Sequence, residues 1–327
     1  KNHISGSKQI GHFHFQLFVM EEQDLVLQQI LTDKKGTSYT SPGSISSASV
    51  LAAAKMPEEQ RKLLEENNCY SFTRSNPCPV LDSSKQNQYN TVWGAIDSDT
   101  FEAAKLCKGL GLGKSAVLNM ANEWNCGGAF ERGWGSQEEC LFRRSTIGFN
   151  LWPHRRPDDT RASRLAKDLP RKEAYYPLSE CGGIYSPNVA VIRNIHGLPY
   201  RSSQYKPEER FMVSVLSIAA QDLRYWMSHV KEKEFNPELT TNKLRTCLWM
   251  AAEHNHKIVV LGAIGCGAFQ NDPAQLSNIF KDLLETEFKG VFQLVLFAIT
   301  KSKHNLSSFA QRFGLLTASE INSTLFQ

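Results

Sequence analysis

The chain has 327 residues, of which 41% are hydrophobic and 21% charged, and carries a net charge of +4. That length buries a sizeable core without disulfide or metal staples, and that charge does not point to nucleic acid, which is met by a concentrated basic stripe. Eight cysteines lie scattered, with no C-x-x-C pair, so a zinc site or a disulfide framework is not expected and reduced thiols of a cytoplasmic protein are. The longest apolar run, residues 258–269, is broken by glycines and too short to span a bilayer. The sequence begins at Lys1 rather than Met, which suggests a piece of a longer protein, so targeting signals are not read from it.

In chain order, "HFHFQLFVM" (12–20) reads as a strand, "TSYTSPGSISSAS" (37–49) as a loop and "PEEQRKLLEENN" from Pro57 as a helix with proline in its first turn. From Asp99 the organisation sharpens. Asp99 caps a helix beginning at Thr100, and "SAVLN" (115–119) is a short buried strand. The charged stretch 155–172 holds seven Lys or Arg and three Asp and is expected to be a solvated loop. Further strands are expected at "VAVIRN", "MVSVLSIAA", "KIVVLGAIG" and "FQLVLFAIT", from Val189, Met212, Lys257 and Phe292. Helical patterns begin at Thr240 and Pro273, the latter with Leu276, Ile279, Phe280, Leu283 and Leu284 in one stripe. Nearly all-apolar strands alternating with amphipathic helices define an α/β fold whose sheet is covered on both faces.

Three glycine stretches invite a phosphate reading. "GLGLGKS" (109–115) fails it, because Lys108 stands where the first P-loop glycine is needed and the stretch follows a helix instead of a strand; it reads as a helix end and turn. "GAIGCGAFQNDPAQL" (262–276) runs from a strand into the Pro273 helix, where open α/β sheets place their ligand crevice. Gly265 and Gly267 let backbone amides approach an anion there, and Asp272 and Pro273 also fit a plain strand-to-helix turn. "NMANEWNCGGAF" (119–130) follows another strand, and its Gly127 and Gly128 can face the same crevice, so that two loops grip a diphosphate from both sides.

Adjacent acids follow that glycine pair. Ser136 and Glu139 have the spacing of a capping box. Glu138 and Glu139 also suit glycosidic chemistry, in which one carboxylic acid protonates the leaving oxygen while its neighbour orients the sugar or the water.

"CGGAFERGWGSQEE" (126–139) resembles the signature of microbial-type poly(ADP-ribose) glycohydrolases, a glycine triplet, a short spacer and Gln-Glu-Glu. "AVLNMAN", "IYSPNVAVIRN", "VVLGAIGCGAFQNDP" and "LVLFAITKSKHNLSSF" resemble further family segments in the same order, over about residues 99–313. The resemblance implies a macrodomain-like fold, a mixed β-sheet between helices, preceded by an N-terminal helical or irregular extension over 1–98 packing on a catalytic domain at 99–327. It implies an ADP-ribosyl glycohydrolase, a hydrolase with no metal or redox cofactor that releases ADP-ribose from poly(ADP-ribose) or ADP-ribosylated proteins. Glu139 would be the acid and Glu138 its ribose-binding neighbour. Asn122, Gly127, Gly128, Ala129, Gln137, Gly265, Cys266, Gly267, Ala268 and Phe269 would bind ADP-ribose, with Phe269 packing on sugar or base. The chain departs from the pattern at Ala129, the third triplet position, at Cys126, where a proline is usual, and at "IHGLPY" after "VIRN". Trp124, Trp134 and the basic segment add bulk and charge at the expected mouth. A mono-ADP-ribosyl-protein hydrolase, acting for example on modified arginine, and a non-catalytic ADP-ribose reader are the alternatives.

Overall fold

The computed structural model describes residues 65–132, 134–159, 161, 171–194, 209–224 and 234–325. The strand expected at 12–20, the loop at 37–49 and all but the end of the helix expected from Pro57 lie outside those residues. In chain order the elements are β1 (Asn68–Tyr70), β2 (Val92–Ile96), α1 (Thr100–Gly109), β3 (Ala116–Met120), α2 (Gln137–Arg144), α3 (Ile147–Leu151), β4 (Gly183–Val191), β5 (Phe211–Ile218), α4 (Pro237–Glu253), β6 (Ile258–Leu261), α5 (Pro273–Glu285), β7 (Leu294–Ala298), α6 (Lys303–Phe313) and α7 (Ala318–Leu325).

The seven strands form one sheet in the order β1-β4-β5-β3-β6-β7-β2. β5, β3, β6, β7 and β2 run parallel, while β4 pairs antiparallel with both β5 and β1. The α/β class and the mixed sheet are as expected. The reason is visible in β3, β6 and β7, whose residues alternate between two cores. Val117, Val260 and Leu296 join Phe101, Phe142, Phe149 and Trp152 on one face. Leu118, Val259 and Phe297 join Leu248, Phe280 and Phe309 on the other. α1, α2 and α3 thus cover the first face, and α4, α5 and α6 the second.

Both edge strands come from the stretch expected to form an extension. Between β1 and β2 the chain runs as a strap over the ends of α4 and α5. Arg245 of α4 pairs with Glu287 at 2.6 Å and donates to the carbonyls of Cys78 (2.6 Å) and Pro79 (2.9 Å). Lys85 Nζ donates to Ala252 O at 2.9 Å, and Gln86 Nε2 to Glu287 O at 2.8 Å.

Helix starts follow their caps. Asp99 Oδ1 accepts from the amide of Phe101, Asn236 starts α4 one turn before the expected Thr240, and Asp272 Oδ1 accepts from Ala274 N ahead of Pro273. Residues 109–115 form the expected turn between α1 and β3. The solvated-loop expectation for 155–172 fails at its start, because Arg155 and Asp159 are 2% and 4% exposed. Residues 160 and 162–170 of that segment are outside the described set. No helix among the described residues is long and apolar enough to cross a membrane, and all eight cysteines are free thiols.

Candidate active site

The C-terminal ends of the five parallel strands open into one cavity of about 1300 Å³. Its walls come from the loops after β2 (Asp99), β3 (Asn122 to Asn125, Gly128 and Ala129), β5 (Asp222, Arg224), β6 (Gly265 and Gly267 to Phe269) and β7 (Lys301), together with the start of α2, while Gly127 and Cys266 do not line it. An open α/β sheet collects its loops at this edge, so residues far apart in sequence converge there.

Glu138 and Glu139 sit in the first turn of α2 and are 3% and 6% exposed. The capping box does not form: Ser136 precedes the helix without a side-chain cap bond. Glu139 Oε1 instead accepts from the amide of Ala129 at 2.9 Å. Glu138 accepts from two amides, Asn122 N at 2.8 Å on Oε2 and Gly127 N at 3.0 Å on Oε1. Burial, reinforced by the neighbouring Glu139, pushes the Glu138 carboxyl up to about 8 in spite of those amides. Glu139 Oε2 is buried and has no hydrogen-bond partner among the described residues.

The amides of the glycine loop 127–129 are tied to the acids and to the loop itself, by Glu138 at Gly127, by Asn125 O at Gly128 and by Glu139 at Ala129. Gly128 has φ +57°, and a Cβ there would lie 2.4 Å from Glu139 Oε1, so glycine is required for both backbone and contact. Ala129 adopts no positive φ, which is why a side chain is tolerated at the third triplet position. Cys126 is fully buried beneath the loop.

Gln137, expected as a ligand contact, lines the cavity wall but is used to position α2. Its Oε1 accepts from Met120 N at 2.9 Å, and its Nε2 donates to Leu118 O at 2.6 Å and Thr100 Oγ1 at 3.1 Å. The helix carrying the two acids is thereby tied to the end of β3. Its far end is tied by Arg144, buried and paired with Asp99 at 2.7 Å and Glu102 at 2.9 Å. Asn122 Oδ1 accepts from the amides of Trp124 and Asn125, folding the loop above Glu138.

Arg161, from the basic segment, has no counterpart in the sequence-level site. Asp159 fixes its guanidinium through Nε at 3.0 Å and Nη2 at 2.7 Å, and it donates to the carbonyls of Gly128 and, at 3.1 Å, Cys126. Nothing in the spacing marks this residue out, since the contact closes over 33 and 35 residues.

The loop after β6 is built differently. Asn271 Nδ2 donates to Gln221 O at 2.7 Å and Gly265 O at 3.2 Å, and Leu223 N donates to Phe269 O at 3.0 Å. These contacts hold the loop's shape, while the amides of Gly265, Gly267, Ala268 and Phe269 have no acceptor among the described residues. A Cβ on Gly267 would meet nothing within 4 Å. The Arg224 guanidinium lies 4.9 Å from the Phe269 ring centroid and pairs with Asp222. Burial pushes the Cys266 thiol up to about 12, leaving it neutral. Open amides converging with an aromatic ring and an arginine form a cradle suited to phosphates attached to a sugar or base.

The profile of the family described as "Microbial-type PARG, catalytic domain" matches residues 44–194, which include the glycine loop and both acids. Among solved structures, the poly(ADP-ribose) glycohydrolase from Thermomonospora curvata is 25% identical with a TM-score of 0.58, the match covering 92% of this chain and 100% of that one. The same enzyme bound to the inhibitor ADP-HPD matches equally well. The Deinococcus radiodurans poly(ADP-ribose) glycohydrolase in complex with ADP-ribose, 23% identical with a TM-score of 0.58 over 79% of this chain and 98% of that one, shares the fold. No curated protein has a significant sequence match to this chain.

Proposed function

We propose that this protein is a poly(ADP-ribose) glycohydrolase, which cleaves the glycosidic bond at the distal ribose and releases ADP-ribose. The observation that carries the reading is the state of Glu139. One carboxylate oxygen is fixed by the Ala129 amide, while the other is buried and has no hydrogen-bond partner among the described residues, in a residue that lines the cavity. A carboxyl held by one oxygen and free at the other is a positioned proton donor. The family match and the similar Thermomonospora poly(ADP-ribose) glycohydrolase, seen bound to the inhibitor ADP-HPD, support the substrate class.

Burial, reinforced by the neighbouring Glu139, raises the Glu138 carboxyl to about 8. In the proposed reaction, Glu139 Oε2 donates a proton to the leaving oxygen as the C1–O bond of the distal ribose breaks. Water adds to C1 and returns a proton to Glu139, so atoms and charge balance. Glu138, fixed through both oxygens, shapes the ribose end of the cavity. The loop 265–269 receives the diphosphate on its open amides, and Phe269 packs on sugar or base.

The test is product identification. The protein is incubated with labelled poly(ADP-ribose) and with proteins mono-modified on Arg, Glu or Ser. Release of ADP-ribose from the polymer is expected. Release only from a mono-modified protein would replace the polymer reading with a mono-ADP-ribosyl hydrolase, and binding without release from any of them would leave a reader module.

A further inference from the structure

Beyond the acid pair and the 265–269 loop, the cavity wall carries exposed aromatic surface. Among the described residues the exposed large hydrophobics are Val80, Trp124, Trp134 and Leu315. The two tryptophans, 39% and 58% exposed, both line this cavity. Exposed indoles at a cavity wall mark binding surface far more than scattered aliphatic residues do.

Trp124 is the better placed. It lies two residues beyond Asn122, whose amide holds Glu138, and its own amide is fixed by Asn122 Oδ1 at 3.0 Å. The indole is thus held by the same short loop as the acid pair. Above it stands Arg156, with its guanidinium carbon 5.7 Å from the ring centroid. Among the described residues Arg156 is paired only at 3.5 Å with the exposed Asp158, and its Nε has no hydrogen-bond partner. Arg132 lines the same wall and is exposed.

We propose that Trp124 and Arg156 form a leaving-group subsite that takes the adenosine diphosphate portion of the next unit of a poly(ADP-ribose) chain. The inference rests on the glycohydrolase reading and extends it from the bond that is cut to the group that departs. In the polymer the leaving oxygen belongs to an adenosine ribose. A flat base and two phosphates therefore lie within one nucleotide of the scissile bond. An indole offers the base a stacking face, and a guanidinium beside it offers the phosphates a charge-assisted hydrogen bond. A modified arginine or lysine-rich peptide segment brings positive charge to this arginine-bearing wall and is disfavoured there.

Calorimetry in a Glu139→Gln background, which slows turnover ~10²–10⁴-fold, separates the subsite from the distal cradle. The probes are ADP-ribose and a two-unit ADP-ribose oligomer. The oligomer is expected to bind roughly 10-fold or more tightly than ADP-ribose, the range of one base stack on an aromatic side chain. Adding Trp124→Ala should erase that advantage while leaving the Kd for ADP-ribose unchanged, which also shows that the variant is folded. Trp124→Phe should keep part of the advantage, and Arg156→Gln should reduce it.

Equal affinity for oligomer and monomer before the second substitution overturns the subsite and leaves the glycohydrolase reading intact. Equal weakening of both probes by Trp124→Ala also overturns it, since Trp124 would then belong to the distal unit. An advantage that appears only with a mono-ADP-ribosylated peptide assigns the wall to a protein partner. If ADP-ribose itself does not bind, the cradle assignment fails first, and the subsite falls with it.

Discussion

The loop at 126–129 and the loop at 262–271 each follow a parallel strand and each bend at glycines of positive φ, yet they treat their backbone amides in opposite ways. In the first, every amide from Gly127 to Ala129 is committed to a partner inside the protein, two of them to the paired acids Glu138 and Glu139. In the second, side-chain and backbone contacts fix the shape and leave four amides without an acceptor among the described residues. Glycine-rich composition alone therefore does not define a phosphate site. What matters is whether a buried carboxylate already occupies the nest that the amides form.

Glu139→Gln breaks the first loop's chemistry without breaking the loop. Gln can still accept from Ala129 N but cannot donate the proton, so turnover should fall by ~10²–10⁴-fold while ADP-ribose binding and thermal stability stay near parental. Equal turnover by this variant in a steady-state assay would remove Glu139 from the mechanism.

Glycine substitutions should then fail for different reasons in the two loops. Gly128→Ala places a Cβ on Glu139 at positive φ, and is expected to lose at least ~1 kcal/mol of stability together with activity. Gly267→Val points into open space, and is expected to keep its melting temperature and lose ADP-ribose binding. Thermal melts and calorimetry on both variants test the contrast; a Gly267→Val protein that binds like the parent would show the second loop to be only a turn.

Ligand should likewise reach the fold through the second loop. ADP-ribose at ~100 times its Kd is expected to stabilise the protein by about 2.7 kcal/mol. A flat thermal-shift series at millimolar ADP-ribose counts against the cradle.

A last effect is read through pH. Burial raises the Glu138 carboxyl from 4.5 to about 8, so the folded state binds more protons than the unfolded one between those values. Glu138 therefore contributes a fall in stability as pH rises from about 4.5 to about 8, levelling off above it. Glu138→Gln should flatten that part of the stability profile. A pH series of melts on both proteins decides it.

Much of this arrangement can be read in the sequence because it is local or periodic. The alternation of Val117 and Leu118, or of Leu296 and Phe297, identifies strands buried on both faces, and Asp99 and Asp272 announce the helices they cap. The strand β2 and the helix α6 escape the reading. β2 is short, and its Gly94 sits against Leu316 from the far end of the chain. α6 opens with polar residues after Ser302 that look like a turn. In the site, adjacency in sequence reveals the acids and both loops. It does not reveal which amides are free, because the partners of Gly127 and Ala129 lie 11 and 10 residues away. The capping-box spacing at Ser136 misleads for the same reason, since Glu139 turns toward the glycine loop instead of its own helix start. Gln137 and Arg161 act through carbonyls on other elements, and no spacing rule links them to those carbonyls.

The strap between β1 and β2 governs where this protein can be cut. Residues 68–70 close one margin of the sheet against β4, and residues 92–96 close the other against β7. A fragment starting at Asp99 would retain every element of the proposed chemistry and yet bare both margins at once. Each would present a row of unpaired backbone donors and acceptors, the template on which strands of other copies add. Such a fragment is expected to self-associate, whereas one that keeps residues 65–325 retains its own edge strands and the Arg245 contacts that lash them across the back of the molecule.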